Sequence, residues 1–268
     1  MLLKGIFAIS AAVSVLMRLT GIVPSNVWLP AAFAGCFVLL LGLWALSCII
    51  CTRFVRLDVP CLKRSRIFRL YANCIIDSLT QLLRIKIHVT GREKLPEEKF
   101  LLVCNHRSAL DPILEMGVFR NFYMGFVAKQ ELFKIPVIGR LMHECFCFSL
   151  DRENIRDGLK VMQQAADWIQ SQTASVGIYP EGTRSRDGRL LPFKNGAFKI
   201  AKKAQCPIVV VIIRNTEKIM GHAPFKRTDV YMDIVDTIDA KTVSGMKTAQ
   251  LSMAISNKMK AALAAYSN

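Results

Sequence analysis

Acidic residues are scarce in this chain: 20 aspartates and glutamates stand against 36 lysines and arginines, a formal charge of +16 over 268 residues. That imbalance narrows the partners to nucleic acid, an anionic lipid surface or an anionic substrate. Histidine is rarer still, with four positions. The nine cysteines are odd in number and form no paired CxxC knuckles, which excludes a zinc knuckle and a fully paired disulfide framework. The one CxxC, Cys48 and Cys51, falls in an apolar run where packing is the simpler role. Reduced thiols in a reducing compartment follow. No internal repeat or low-complexity linker is present. No small-residue cleavage pattern follows the apolar start, so that segment reads as retained rather than as a removed signal.

What the chain has in excess is hydrophobic sequence, 52% of all residues, unevenly placed. Residues 28–51 are 24 positions without a charge. As a helix they cross an apolar layer of about 30 Å. A second run, residues 5–17, is too short to span alone and is closed by Arg18. Pro24 and Pro30 mark a turn between the two, which predicts a helical hairpin with both ends cytoplasmic; a full span by the longer run stays open. Arg53, Arg56, Lys63, Arg64, Arg66 and Arg69 follow, opposed only by Asp58. By the positive-inside rule this side faces the cytoplasm. Such a segment gains about 1 kcal/mol per cation near an anionic leaflet, which favours lipid over nucleic acid. The same charges are also explained by topology alone.

Beyond this anchor the pattern changes, placing a boundary near residues 52–60. We expect residues 1–56 to form the membrane-anchoring hairpin and residues 57–268 the catalytic domain. Residues 62–83 predict an amphipathic helix near the membrane surface, with Ile67, Leu70, Cys74, Ile75, Leu79 and Leu82 on its apolar face. Residues 84–90 alternate polar and apolar, as a half-buried strand does, with His88 on the solvated side. Apolar strand-length runs follow at 100–104, 122–127, 145–150, 176–179 and 208–213. Helical patterns separate them near 131–142, 154–170 and 196–204. The alternation predicts an α/β fold with a largely parallel core sheet flanked by helices. Residues 229–235 are expected to add an edge strand and residues 243–266 a closing helix.

Two motifs about 75 residues apart carry the chemistry. The first, Asn105-His106-Arg107-Ser108-Ala109-Leu110-Asp111, follows a strand and enters a helix, the usual place for a site in an α/β fold. A carboxylate separated from an imidazole by four residues can hold one ring nitrogen and leave the other to accept a proton. Asp111 before Pro112 is equally well explained as a helix start, with Asp as N-cap and Pro in the first position. Cys104 reads as a core thiol rather than a nucleophile.

The second motif, Tyr179-Pro180-Glu181-Gly182-Thr183-Arg184, follows another strand, so both should emerge at one edge of the sheet. Gly182 permits a tight turn, Thr183 adds a hydroxyl and Arg184 offers a planar fork for two phosphate oxygens. Glu181 is expected to orient Arg184 or to accept from a substrate hydroxyl. The alternative is a charged surface turn continuing through Asp187-Gly188, with Arg186 and Arg189 solvated.

These blocks, with Lys129, Glu131-Leu132, Pro136 and Gly139, then Asp151-Arg152, then Phe193 to Phe198, resemble the membrane-associated glycerolipid acyltransferases, most closely the 1-acylglycerol-3-phosphate (lysophosphatidic acid) acyltransferases. The resemblance covers roughly residues 85–215. One departure is Val210, where the family often ends its Pro-Ile-Val-Pro block in proline. The resemblance implies that His106 is a general base on the sn-2 hydroxyl of lysophosphatidic acid and that Asp111 orients it. It also implies that Lys129 and Arg184 hold the acceptor phosphate, while Glu181, Gly182 and Thr183 shape that site; a snorkelling surface lysine is the alternative for Lys129. The implied donor is an acyl-thioester, acyl-CoA or acyl carrier protein, attacked directly with no acyl-enzyme, no cofactor and no metal. The implied setting is the bilayer, with the catalytic domain on its cytoplasmic face and no nucleic acid partner. Glycerol 3-phosphate or another lysolipid as acceptor, and a non-catalytic anionic-lipid-binding protein, are the alternatives.

Overall fold

In the computed structural model, residues 2–57, 61, 64–150, 155–185 and 187–266 are described; the side chains of Lys129, Leu150 and residues 155–157 fall outside that description. The chain opens with α1 (Leu2–Leu19) and α2 (Leu29–Arg53). Both are long and apolar enough to cross a membrane by length and composition, with mean hydropathies of 1.8 and 2.4 for residues 2–19 and 26–53. They pack on each other, with the Phe7 and Phe33 rings edge-on at 4.9 Å. Across the short turn, Arg18 Nε donates to Asn26 Oδ1 at 2.9 Å.

Helix α3 (Arg66–Leu82) starts at an N-cap, Ser65, whose hydroxyl accepts from Phe68 N. Its packing divides the apolar residues between core and surface. Ala72 and Ile76 turn inward, while Ile67, Leu70 and Leu82 are exposed. The hairpin meets this helix at Tyr71, whose hydroxyl donates to Ser47 Oγ at 2.9 Å. An exposed apolar edge thus runs on from α1 and α2 along α3.

The core is one seven-stranded sheet of β1 (Ile85–Thr90), β2 (Leu101–Cys104), β3 (Gly125–Lys129), β4 (Phe148–Leu150), β5 (Val176–Ile178), β6 (Ile208–Arg214) and β7 (Thr228–Ile238). Its order is β1-β7-β6-β2-β5-β3-β4. Every pair is parallel except β6 with β7, as the alternation of strands and helices predicts. Leu101 is in register with both Val176 and Ile208, so β2, β5 and β6 run level and end at one edge.

Both faces of this sheet are covered, which explains why its central strands are unbroken apolar runs rather than alternating ones. On one face Leu101, Val103, Val176, Ile208 and Val210 pack against α7 (Ile155–Gln170), α8 (Lys199–Ala204) and α11 (Thr248–Ala264). On the other, Phe100, Leu102, Cys104, Val209 and Val211 meet Leu114 of α4 (Asp111–Val118) and Ile219 of α9 (Ile219–His222).

Several sequence expectations need correction. The strand at 229–235 is no edge: β7 is 11 residues long and lies between β1 and β6. It is β1, with its alternating apolar and polar residues, that takes the edge. His88 is not simply solvated, since its Nε2 lies 2.8 Å from Asp229 Oδ1 and its ring stacks on Tyr231. The helix expected at 131–142 is two, α5 (Gln130–Phe133) and α6 (Ile138–Glu144), because Pro136 between them cannot donate to a continuous ladder. The closing helix is likewise split into α10 (Ala240–Gly245) and α11, with Asp239 capping the first through Thr242 N.

Candidate active site

The level ends of β2 and β5 place the two motifs side by side. Asn105 ends β2 as a side-chain extension of the sheet: its Nδ2 donates to Ile213 O at 2.9 Å, and its Oδ1 accepts from Ile213 N at 2.8 Å. That double bond to β6 fixes the direction in which the chain leaves the strand and hence where His106 projects.

His106 Nδ1 lies 2.9 Å from Asp111 Oδ2, and a carboxylate accepts, so the ring proton sits on Nδ1. No described residue bonds Nε2, and the imidazole is 19% exposed beside a wholly buried Asp111. The same Asp111 oxygen accepts from the backbone N–H groups of Arg107 and Ser108, each at 2.7 Å. Asp111 therefore gathers the turn that precedes its helix. Leu110, not Asp111, is the N-cap, so the helix-start reading does not describe this residue. These bonds also engage the two N–H groups just after His106.

Three contacts join the second motif to the first. His106 N donates to Glu181 Oε1 at 2.7 Å, Ser185 N donates to His106 O at 2.8 Å, and Arg107 Nη2 donates to Gly188 O at 2.8 Å. Glu181 Oε2 accepts from Leu191 N at 2.8 Å. Both oxygens of this buried carboxylate are thus used by backbone, where Arg184 or a substrate hydroxyl was the expected partner. Its burial pushes its pKa up, against the pull of the two N–H donors.

Gly182 sits in the left-handed region at φ 70°. A methyl group there would come within 2.8 Å of Lys194 Cε and 2.9 Å of its Nζ. Lys194 therefore lies over the turn, a cation that the motif alone did not reveal. Thr183 and Arg184 are exposed, and Arg184 makes no ion pair among the described residues. Lys129 closes β3 at the same edge of the sheet, with its side chain outside the described part; Asp151, Arg152 and Arg186 lie outside it altogether. Arg189 is 88% exposed on its side chain, as expected. Cys104 is fully buried and its thiol is pushed far up by burial, consistent with a core role.

A profile of the family described as Acyltransferase matches residues 86–214, the segment that holds both motifs. Residues 86–214 form an Acyltransferase-family domain. A 1-acyl-sn-glycerol-3-phosphate acyltransferase of Saccharomyces cerevisiae is 27% identical over 70% of this chain and 63% of its own length. One from Limnanthes douglasii is 33% identical over 61% and 57%, and the human alpha form is 34% identical over 48% and 46%. The chain thus spans about half to just under two thirds of these relatives. Among solved structures, the 1-acyl-sn-glycerophosphate (LPA) acyltransferase PlsC of Thermotoga maritima superposes with a TM-score of 0.59 at 22% identity, covering 97% of this chain and 96% of that one. The chain therefore shares that fold.

Sequence reasoning gave no role to Tyr179 of the second motif and did not single out Glu115. The Tyr179 ring stacks on His106 with centroids 4.1 Å apart and planes 15° from parallel. Its hydroxyl donates to Glu115 Oε2 at 3.1 Å. Glu115 is fully buried, and burial, then the charge of Asp111, push its carboxyl far above the usual range. The available signal was an acidic residue between Leu114 and Met116, one helical turn after Asp111.

Proposed function

We propose that this chain is an O-acyltransferase that moves an acyl group from a thioester, acyl-CoA or acyl carrier protein, to the sn-2 hydroxyl of lysophosphatidic acid, giving phosphatidic acid for phospholipid synthesis. The observation that carries this reading is an imidazole with Nδ1 held by a buried carboxylate and Nε2 open, tied through Glu181 to a turn bearing an unpaired arginine. The names of the relatives supply the acceptor.

In this scheme His106 Nε2 takes the proton of the acceptor hydroxyl as its oxygen attacks the thioester carbonyl. Asp111 keeps the proton on Nδ1 and balances the imidazolium that forms. The C–S bond then breaks, and the imidazolium returns its proton to the departing thiolate, leaving an ester and a free thiol. Arg184, Lys194 and Lys129 face the phosphate. Gly182 and Thr183 give the turn its shape and Glu181 holds it against His106. A thioester is already activated, so orientation and proton transfer are the main demands on the protein.

Residues 1–56 serve as the membrane anchor and residues 57–268 as the catalytic domain on the cytoplasmic face. The reading draws on the exposed apolar helices α1 and α2 and on Ile67, Leu70 and Leu82 of α3. Substrate and product then share the bilayer with the site. The test is a comparison of initial rates for lysophosphatidic acid, glycerol 3-phosphate and lysophosphatidylcholine with one acyl-CoA. Lysophosphatidic acid should be preferred, and a preference for either of the others would overturn the acceptor assignment.

A further inference from the structure

Behind the catalytic pair lies a second carboxyl that the proton transfer does not use. Glu115 stands one turn beyond Asp111 on α4 and is wholly buried. Among the described residues no lysine, arginine or histidine bonds it. Its surroundings are Asp111 on its own helix, Cys104 at the end of β2 and Tyr179 beyond β5. A charge there would be unpaired in a low-dielectric interior, next to a carboxylate that is already charged. Moreover, Asp111 Oδ1 and Glu115 Oε1 are both buried and neither has an oxygen or nitrogen donor among the described residues; the Cys104 thiol, a weak donor, is the other group beside the Glu115 carboxyl. One proton kept on Glu115 can serve both acceptors, which stand one helical turn apart.

We propose that Glu115 is a neutral positioning residue: it keeps its proton, offers it to Asp111 Oδ1, and is held by Tyr179, whose ring also backs His106. The inference rests on the acyl-transfer reading only for its kinetic part. Asp111 Oδ2 is already occupied by His106 and two backbone N–H groups. A proton from Glu115 would complete the other oxygen, lock the carboxylate in plane and damp its charge. That damping matters because a harder negative charge beside His106 favours imidazolium, which cannot act as a base. One side chain thus sets both the angle of the ring and the pH at which it becomes active.

The experiment uses the full chain in lipid nanodiscs with Glu115→Gln and Glu115→Leu. Glutamine keeps a donor without a titratable proton; leucine keeps bulk alone. With only four histidines, His106 can be followed by ring NMR without substrate, against a His106→Gln assignment control. Glu115→Gln should leave the His106 titration and the acid limb of the kcat profile near wild type. Glu115→Leu should raise both by about half a pH unit or more and lower kcat roughly tenfold, with little change in KM. Infrared difference spectra between wild type and Glu115→Gln should show a protonated carboxyl band at pH 7 that the variant lacks. This band also settles the matter if the leucine variant fails to fold. Absence of the band, an unmoved titration in Glu115→Leu, or a glutamine variant that shifts as far as leucine would each overturn the proposal. A wild-type protein without acyl-transfer activity would instead overturn the function, leaving the titration and infrared results to judge Glu115.

Discussion

The backbone N–H of His106 donates to Glu181 Oε1 at 2.7 Å, so a carboxylate of the second motif holds the main chain of the base in the first. The two motifs are thereby one mechanical unit, and a change in either should be felt in both. Glu181→Gln turns an amide N–H₂ toward one of two N–H donors, His106 N or Leu191 N. We expect a loss of about 1–3 kcal/mol in stability from an unmet buried donor and a fall in kcat of about tenfold from a displaced base. Thermal melts and initial rates check this, and an unchanged kcat would separate the two motifs.

Asp111→Asn keeps the shape of the side chain but brings in a donor where three N–H groups now converge on one oxygen. It should lower kcat at least about 100-fold, with KM for the acceptor nearly unchanged, since nothing assigns Asp111 to the phosphate. Steady-state kinetics in both substrates make the distinction.

Arg184 is exposed, so Arg184→Ala should move stability by less than about 0.5 kcal/mol. It should raise KM for a phosphate-bearing acceptor by about 10- to 100-fold, the worth of a charged hydrogen bond. A phosphate-free acceptor should not register the change. Equal loss on both acceptors would make Arg184 structural.

Glu115 makes a prediction about stability as well as catalysis. Its folded pKa is raised well above the ordinary carboxylate value, so its neutral form contributes stability that is fully present below the unfolded pKa and is lost as pH rises toward the folded one. In that window the loss is at most about 1.4 kcal/mol per pH unit. Glu115→Gln has no such term. Its melting temperature relative to wild type should therefore climb between pH 5 and pH 8, and a constant difference would contradict the buried neutral acid.

What could be read from the sequence follows from where the decisive interactions lie. Strands β2, β5 and β6 were legible because burial on both faces leaves unbroken apolar runs. The shared edge of the motifs followed from the same pattern. The interior position of β7 was not legible, since an antiparallel partner and a parallel one leave similar traces in residues 228–238. The spacing of His106 and Asp111, with four residues between them, pointed to their bond. The roles of Glu181 and Asn105 did not show, because their partners are backbone groups 75 and 108 positions away. Glu115 and the role of Tyr179 escaped notice for a related reason: a buried neutral acid leaves no charge pattern in the sequence to announce it.

The central claim is that His106 Nε2 takes the acceptor proton during acyl transfer. The most direct measurement is single-turnover release of free thiol from acyl-CoA, with lysophosphatidic acid in nanodiscs, by wild type and His106→Ala of matched melting temperature. The account predicts rapid stoichiometric thiol release by wild type and a rate about 10²–10⁴-fold lower in the variant. Thiol release by His106→Ala at the wild-type rate would contradict it.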